Sequence, residues 1–463
     1  MSSLATSNRR FTSPPQGAYA PRSGLPAPYG LGFALFLVLN SVLFVRPAEI
    51  VPALLGLEIY LVCILACMLF SFPAILEQLL PRSLETRPIT VFVLGLLLAV
   101  VLSHLSHFRF AEAIRDGWDF FKMILYFLLL VGLVSTPGRL RAFLLCFVLF
   151  AAVVAGLAVL QYHEIIKLPN LNPTKDNMAN AATGQETVIY RLKGTGPFQD
   201  PNDLSILMVI CILQTLYWLT DRRSGLLRLV MLGPLLLFAY ALARTQSRGG
   251  MLALLAGLGV FMRMRFGWVQ SLLIGAVLMP GLLLVFAGRQ TNLSTASGTG
   301  QERIQIWSDG LVLFREAPLF GVGRDEIGKS IGHVAHNSYL QAFVELGLLG
   351  GFFYVSAFAL ALESFYRLSA GGRCILDPEL RRLYPYLFGM ITAYAVGMMS
   401  LTLNFIIATY VMLGLAIVYR RMTITSPPAP ALRCDAALIV RLGGLSIAVL
   451  IGFSLFVRIF LVR

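Results

Sequence analysis

The sequence predicts an all-α membrane protein that crosses the bilayer many times. Of its 463 residues 57% are hydrophobic and only 13% are charged, about half the charged share of soluble domains. Mean hydropathy is +0.77. The apolar residues fall into stretches at 29–46, 50–72, 88–106, 117–134, 140–161, 203–220, 226–243, 249–264, 268–287, 338–366, 384–402, 403–419 and 436–460. Each is near the ~20 residues a helix needs to cross the hydrocarbon core, giving about twelve or thirteen spans. Residues 29–463 form one multi-span membrane domain, with no internal repeat.

Residues 1–28 carry Pro14, Pro15, Pro21, Pro26 and Pro28 and too little apolar surface to fold alone, so they read as a flexible cytoplasmic tail. No cleavable signal peptide is expected, because the start is polar and the first apolar run is long enough to span. The net charge of +14 does not indicate nucleic acid. Its basic residues are scattered through short loops, without a basic arm or an aromatic-interleaved patch. They act as topology signals: with the N-terminus in the cytoplasm, Arg139 and Arg141, Arg222 and Arg223, Arg263 and Arg265, Arg373 with Arg381 and Arg382, and Arg420 with Arg421 all fall inside. Cys63, Cys67, Cys146 and Cys211 lie in spans, Cys374 and Cys434 in cytoplasmic loops, so the external loops have no disulfide framework. No Cys/His metal spacing is present.

The first polar connector on the external side, Ser103–Trp118, reads as an amphipathic helix lying in the interface, with Arg109 or Arg115 able to hold an anionic headgroup. Two external segments are much longer, 162–202 and 288–337, and long external loops often carry function. The first ends in GPFQDPNDL, where Asp200 is placed as a helix N-cap and Pro201 as the first helical residue. Just before it stand Arg191 and Lys193, on the side where cations are disfavoured.

The turn RTQSRGG, Arg244–Gly250, puts two arginines at a tight external corner. A guanidinium in the apolar zone costs on the order of 2.5–3.5 kcal/mol, so Arg244 and Arg248 call for an anionic partner. Arg248 precedes Gly249 and Gly250 at a helix start, where free N–H groups favour phosphate. The second long segment opens with the flexible TNLSTASGTG and turns helical from Glu302 to Phe314. Ile304, Ile306, Trp307, Leu311 and Phe314 recur at helical spacing, as in a helix lying on the outer surface, with Arg303 and Trp307 one turn apart. Pro318, Gly321 and Gly323 end it and return the chain to HVAHNSYLQAFVELGLLGG, His333–Gly351. There His336 and Asn337 sit at the membrane edge, and Gly347 and Gly350 give one helical face a close approach to a neighbour.

The external cations Arg191, Lys193, Arg244, Arg248, Arg303, Arg315, Arg324 and His336 point to an anionic ligand. Arginine forks bind phosphate bidentately and can stabilise a departing diphosphate. No nucleotide-sugar domain is present, so a transferase working outside needs a donor already carried by lipid. A histidine near its ordinary pKa of ~6.5 can accept the acceptor hydroxyl's proton.

Four motifs in this order, GPFQDPN, SRG, Arg303-x-x-x-Trp307 and His336–Asn337 ahead of the two-glycine helix, resemble the O-antigen ligase and polymerase superfamily of bacterial inner-membrane glycosyltransferases. The resemblance covers about 190–355 and implies a GT-C-like fold with a cytoplasmic N-terminus and a periplasmic site. It implies a metal-independent, cofactor-free, inverting transfer from an undecaprenyl-diphosphate glycan. It puts the catalytic histidine on His336 and the diphosphate arginines on Arg248 and Arg303, with Arg191 a further donor contact. Arg244 joins them from its corner position, and Asn337, Trp307, Gly347 and Gly350 support. The partners implied are the polyprenyl-diphosphate-linked glycan, a glycan or lipid-linked acceptor, and the bilayer. The reading adopted is a polymerase of O-antigen or exopolysaccharide repeat units, since no extra external domain suits a protein acceptor. A ligase acting on lipid A core is the alternative. An anion or glycan-precursor transporter is the alternative of another class, and it calls for charges buried near the midplane and paired broken helices. The Pro-rich tail and the final apolar segment depart from the family's pattern.

Overall fold

A computed structural model describes residues 28–54, 56–168, 173–179, 186–285 and 299–461. The expectations for the tail before Pro28 and for most of TNLSTASGTG fall outside these residues. The described chain is almost wholly helical: α1 (Gly30–Val45), α2 (Pro47–Ile50), α3 (Ile59–Leu79), α4 (Pro81–Thr86), α5 (Pro88–Leu105), α6 (Phe110–Leu133), α7 (Pro137–Tyr162), α8 (Pro201–Leu219), α9 (Leu232–Thr245), α10 (Arg248–Phe266), α11 (Trp268–Val285), α12 (Thr299–Glu316), α13 (Glu326–Ile331), α14 (Ser338–Ser369), α15 (Pro378–Gly397), α16 (Ile407–Met422) and α17 (Ala436–Phe460).

Among the described residues nine helices are long and apolar enough to cross a membrane, including the final Ala436–Phe460. This is an all-α polytopic membrane protein. The nine are fewer than the twelve or thirteen stretches read from the sequence, although every stretch contains a helix. The difference lies in α6, α11, α15 and α16. The first turns of α6 carry Glu112, Arg115, Asp116, Asp119 and Lys122, α15 opens with Glu379, Arg381 and Arg382, and α16 has 16 residues ending in Arg420, Arg421 and Met422. For α11 the side chains beyond Val277 lie outside the described residues apart from Gly281, so its expected span is not part of the nine.

Local chemistry sets the helix starts. Asp200 Oδ1 accepts the Asn202 N–H at 2.6 Å with Pro201 first in α8, as the sequence predicts. Thr136 before Pro137 and Asp377 before Pro378 repeat this arrangement. At the end assigned to the cytoplasm, Arg141 and Arg382 converge on Asp221 at 3.2 and 3.1 Å, and Arg382 also meets Glu379 at 2.9 Å. Three loops that the charge rule put on one side therefore do meet at one end of the bundle.

Three local expectations change. Ser103–Trp118 is no separate interfacial helix: after a short turn, α6 begins at Phe110 and runs on as one helix to Leu133. Its charges are bound within the protein, Arg109 to Glu326 at 3.0 Å, Arg115 to Asp116 at 3.0 Å, and buried His104 to Asp116 at 2.9 Å. The segment 162–202 holds an antiparallel hairpin, Thr174–Ala179 with Glu186–Arg191. Lastly, α14 is broken at Gly347 (φ 67°, ψ −166°), so Gly347 and Gly350 do not share an unbroken helical face.

The strand of chain from Pro318 to Gly323 threads the break in α14. Leu348 and Leu349 donate to the carbonyls of Pro318 and Leu319 at 2.8 and 3.3 Å, while Val322 and Gly323 donate to those of Val344 and Glu345 at 3.1 and 3.0 Å. Four of the backbone groups freed there are thus answered by protein, as buried irregular backbone requires. Gly321 and Gly347, both at positive φ, make the approach possible, since a Cβ on either would collide with the other segment's backbone. This fixes the chain leading to His336 against the helix that follows it.

Candidate active site

Four separate pieces of sequence meet around one cavity of about 890 Å³. The start of α8 brings Asp200 and Asn202, the start of α10 brings Arg248 and Gly249, and the first turns of α12 bring Gly300 through Arg303. The loop before α14 adds His333 and His336. Three helix N-termini therefore border the same space, and their positive dipole ends favour an anion there.

Arg248 is the first residue of α10. The helix is released at that point by Gln246 in the left-handed region (φ 49°) and capped by Ser247, whose Oγ accepts the Gly250 N–H at 3.1 Å. Gly249 and Gly250 lie against Ser400 and Ser205, so a Cβ at either would collide with a serine hydroxyl. Their smallness sets α10 close to its neighbours and so fixes the position of Arg248.

Arg303 lies on the cavity side of α12. Ile304 and Leu311 of the same helix are buried, and Trp307, one turn on from Arg303, seats its ring 6.0 and 5.7 Å from Phe453 and Phe456 of α17. The helix is amphipathic as expected, but its apolar face is covered by protein. Arg191 also lines the cavity while serving as a tie: Nε donates to the Thr245 carbonyl and Nη2 to Asn202 Oδ1, both at 2.8 Å. It joins the hairpin to the ends of α9 and α8.

His336 itself is in the left-handed region, φ 47°, a conformation costing a non-glycine residue about 1–3 kcal/mol. Its neighbours hold it there. The Ala335 carbonyl accepts the Trp307 indole N–H at 2.7 Å, and the Ala335 N–H donates to Gln341 Oε1 at 3.0 Å. Gln341 is in turn held by Glu345 at 2.6 Å. On the other side, Asn337 Oδ1 accepts the N–H groups of Tyr339 and Leu340 at 3.1 Å, starting α14. Burial lowers the His336 pKa first, the positive Arg303 lowers it further, and Asp200 opposes them, with a net fall below the ordinary imidazole value. The shift favours the neutral ring, the form that can accept a proton.

The arrangement brings together Arg191, Arg248, Arg303 and His336. It does not bring in Arg244, which is exposed, stacks 5.7 and 5.2 Å from the rings of Tyr162 and Tyr240, and gives its Nε–H to Tyr240 Oη at 3.1 Å. Arg324 lines a different cavity. Asn337 and Trp307 act on the loop, and Gly347 and Gly350 lie at and after the helix break. Sequence reasoning missed His333, Gln246, Gln301 and Gln305, all on the cavity wall. His333 was legible as the first histidine of HVAH, and Gln301 and Gln305 as one face of the helix carrying Arg303. Among the described residues no group of three His, Cys, Asp or Glu side chains is placed to hold a metal ion.

Fold and cavity together define a multi-pass membrane protein with a polar chamber at one end of its helical bundle, lined by Arg191, Arg248 and Arg303, by His333 and His336, and by the carboxylates of Asp200, Glu302 and Asp309. Residues 233–355 match the family described as O-Antigen ligase. That segment, which contains Arg248, Arg303, Trp307, His336 and Asn337 but not Arg191, is similar to the O-antigen ligase and polymerase superfamily and supports that kinship for the chain. These are glycosyltransferase-like enzymes of polysaccharide biosynthesis. No curated protein matches the chain.

Proposed function

We propose that this protein is an inverting glycosyltransferase that takes a glycan from a polyprenyl-diphosphate donor and passes it to an acceptor hydroxyl at the external face of a bacterial inner membrane. The observation that carries the reading is the meeting of Arg248, Arg303 and His336, from three separate segments, on one cavity wall edged by helix N-termini. In this reaction the acceptor oxygen attacks the anomeric carbon from the face opposite the diphosphate. The bond from that carbon to the diphosphate breaks, and His336 takes the acceptor's proton. The departing diphosphate gains negative charge where Arg248 and Arg303 face it, and fixed donors in a partly dehydrated chamber stabilise such charge well. A neutral His336 suits a general base, an effect typically worth 10² to 10⁴ in rate. No metal takes part, so a chelator leaves turnover unchanged.

The acceptor we favour is a second lipid-linked repeat unit, which makes the enzyme a polymerase. The family's own description, O-Antigen ligase, favours the second reading, transfer to lipid A core. The transporter reading loses ground because the break in α14 is filled by the Pro318–Gly323 backbone. A deletion strain decides between acceptors. Accumulated single lipid-linked repeat units support the polymerase, accumulated long lipid-linked chains support the ligase, and unaltered glycans and intermediates overturn both.

A further inference from the structure

Arg324, one of the external cations, is left over by the site just described. It lines a second cavity of about 500 Å³ between the ends of α1 and α3, the middle of α6 and the start of α16. Its guanidinium lies 4.5 Å from the centre of the Phe405 ring. Nε and Nη1 are buried without a hydrogen-bond partner, the nearest carboxylate oxygen being that of the exposed Asp325 at 3.6 Å from Nε. Buried N–H groups left unanswered on a cation are costly, even where the side chain is 15% exposed, and such groups call for a ligand.

The other charges on this wall are already matched. Arg46 meets Glu49 at 3.0 Å, and Lys122 meets Asp119 at 2.7 Å. Arg324 is therefore the cation with donors to spare, and a phosphate oxygen is the acceptor a guanidinium fork fits best. The rest of the wall is apolar, from Val42, Leu43, Leu57, Ile59, Met123 and Ile407. A phosphate on one side and alkyl chain on the other describe one amphiphilic molecule.

We propose that this second cavity binds a phosphate-bearing amphiphile, its headgroup on Arg324 and its chain along α1, α3 and α6, separate from any donor bound at Arg248 and Arg303. The inference rests on the Arg324 donors and the cavity lining and does not depend on the transferase reading.

The test is a thermal-shift titration of the purified full chain in maltoside detergent with short-chain phosphatidic acid, diacylglycerol and inorganic phosphate as separate probes. Phosphatidic acid raises Tm saturably in the wild type and in Arg248→Gln. In Arg324→Gln its midpoint weakens by roughly tenfold or more, as loss of a charged fork predicts. Met123→Trp fills the apolar side without touching Arg324 and weakens the same midpoint, which keeps the test valid if Arg324→Gln does not fold. A shift that persists in both variants, or that diacylglycerol reproduces, overturns the site. Inorganic phosphate reproducing the full shift shows a free-ion site and overturns the amphiphile.

Discussion

Trp307→Phe removes the hydrogen bond by which α12 holds the loop that carries His336. The indole N–H donates to the Ala335 carbonyl at 2.7 Å, and Ala335 is only 2% exposed, so the substitution leaves that carbonyl buried and unanswered. Such a loss costs about 1–3 kcal/mol, the same size as the strain His336 carries at φ 47°. The clamp and the strain it opposes are thus comparable, and removing the clamp lets the histidine relax away from its working position. If that energy goes wholly into the barrier, kcat falls roughly 5- to 150-fold. A phenyl ring keeps aromatic contact with Phe453 and Phe456, and the charges around His336 are unchanged. The assay is turnover of a polyprenyl-diphosphate oligosaccharide by purified protein, with kcat, donor KM and pH profile measured separately. The account expects kcat to drop while donor KM stays within about twofold and the acid limb of the profile stays in place. A kcat within twofold of wild type refutes the reasoning, as does a change in KM alone.

The surrounding charges make a signed prediction. Arg303 lowers the His336 pKa and Asp200 raises it, so at saturating donor Arg303→Gln moves the acid limb of kcat to higher pH and Asp200→Asn moves it lower, and a shift in the opposite sense in either profile contradicts the assignment. Arg244→Ala keeps donor KM within about twofold, because that side chain stacks on Tyr162 and Tyr240 away from the cavity; a tenfold rise returns Arg244 to the donor site. Gly347→Ala puts a Cβ against the Leu319 carbonyl at a positive φ and destabilises the fold by more than about 2 kcal/mol, read as a lower melting temperature in detergent; an unchanged melt contradicts the threaded break.

What the sequence made legible was chiefly what is decided locally. Asp200, Pro201 and Arg248 are placed by capping and helix-start chemistry, and each stands where that chemistry put it. The amphipathic spacing of Ile304, Trp307 and Leu311 identified α12, but periodicity cannot say whether lipid or protein covers an apolar face, and here α14 and α17 do. The break at Gly347 was invisible because its backbone angle is imposed by a segment more than twenty residues upstream. Arg244 and Arg248 flank one tight corner in RTQSRGG, and both are expected at the donor although only Arg248 stands at a helix start. The left-handed turn at Gln246 separates them, sending one to the tyrosines and the other to the cavity. Thr174–Ala179 reads TKDNMA, which has no alternation to announce a strand, and its pairing with Glu186–Arg191 supplies what its own residues do not.

The central claim is that His336 accepts a proton in a chamber where Arg248 and Arg303 hold the diphosphate, and its most direct measurement is single-turnover transfer by purified His336→Gln protein loaded with a polyprenyl-diphosphate oligosaccharide. Donor binding is expected to survive while the transfer rate falls by about 10² to 10⁴. Transfer at the wild-type rate with donor bound contradicts it.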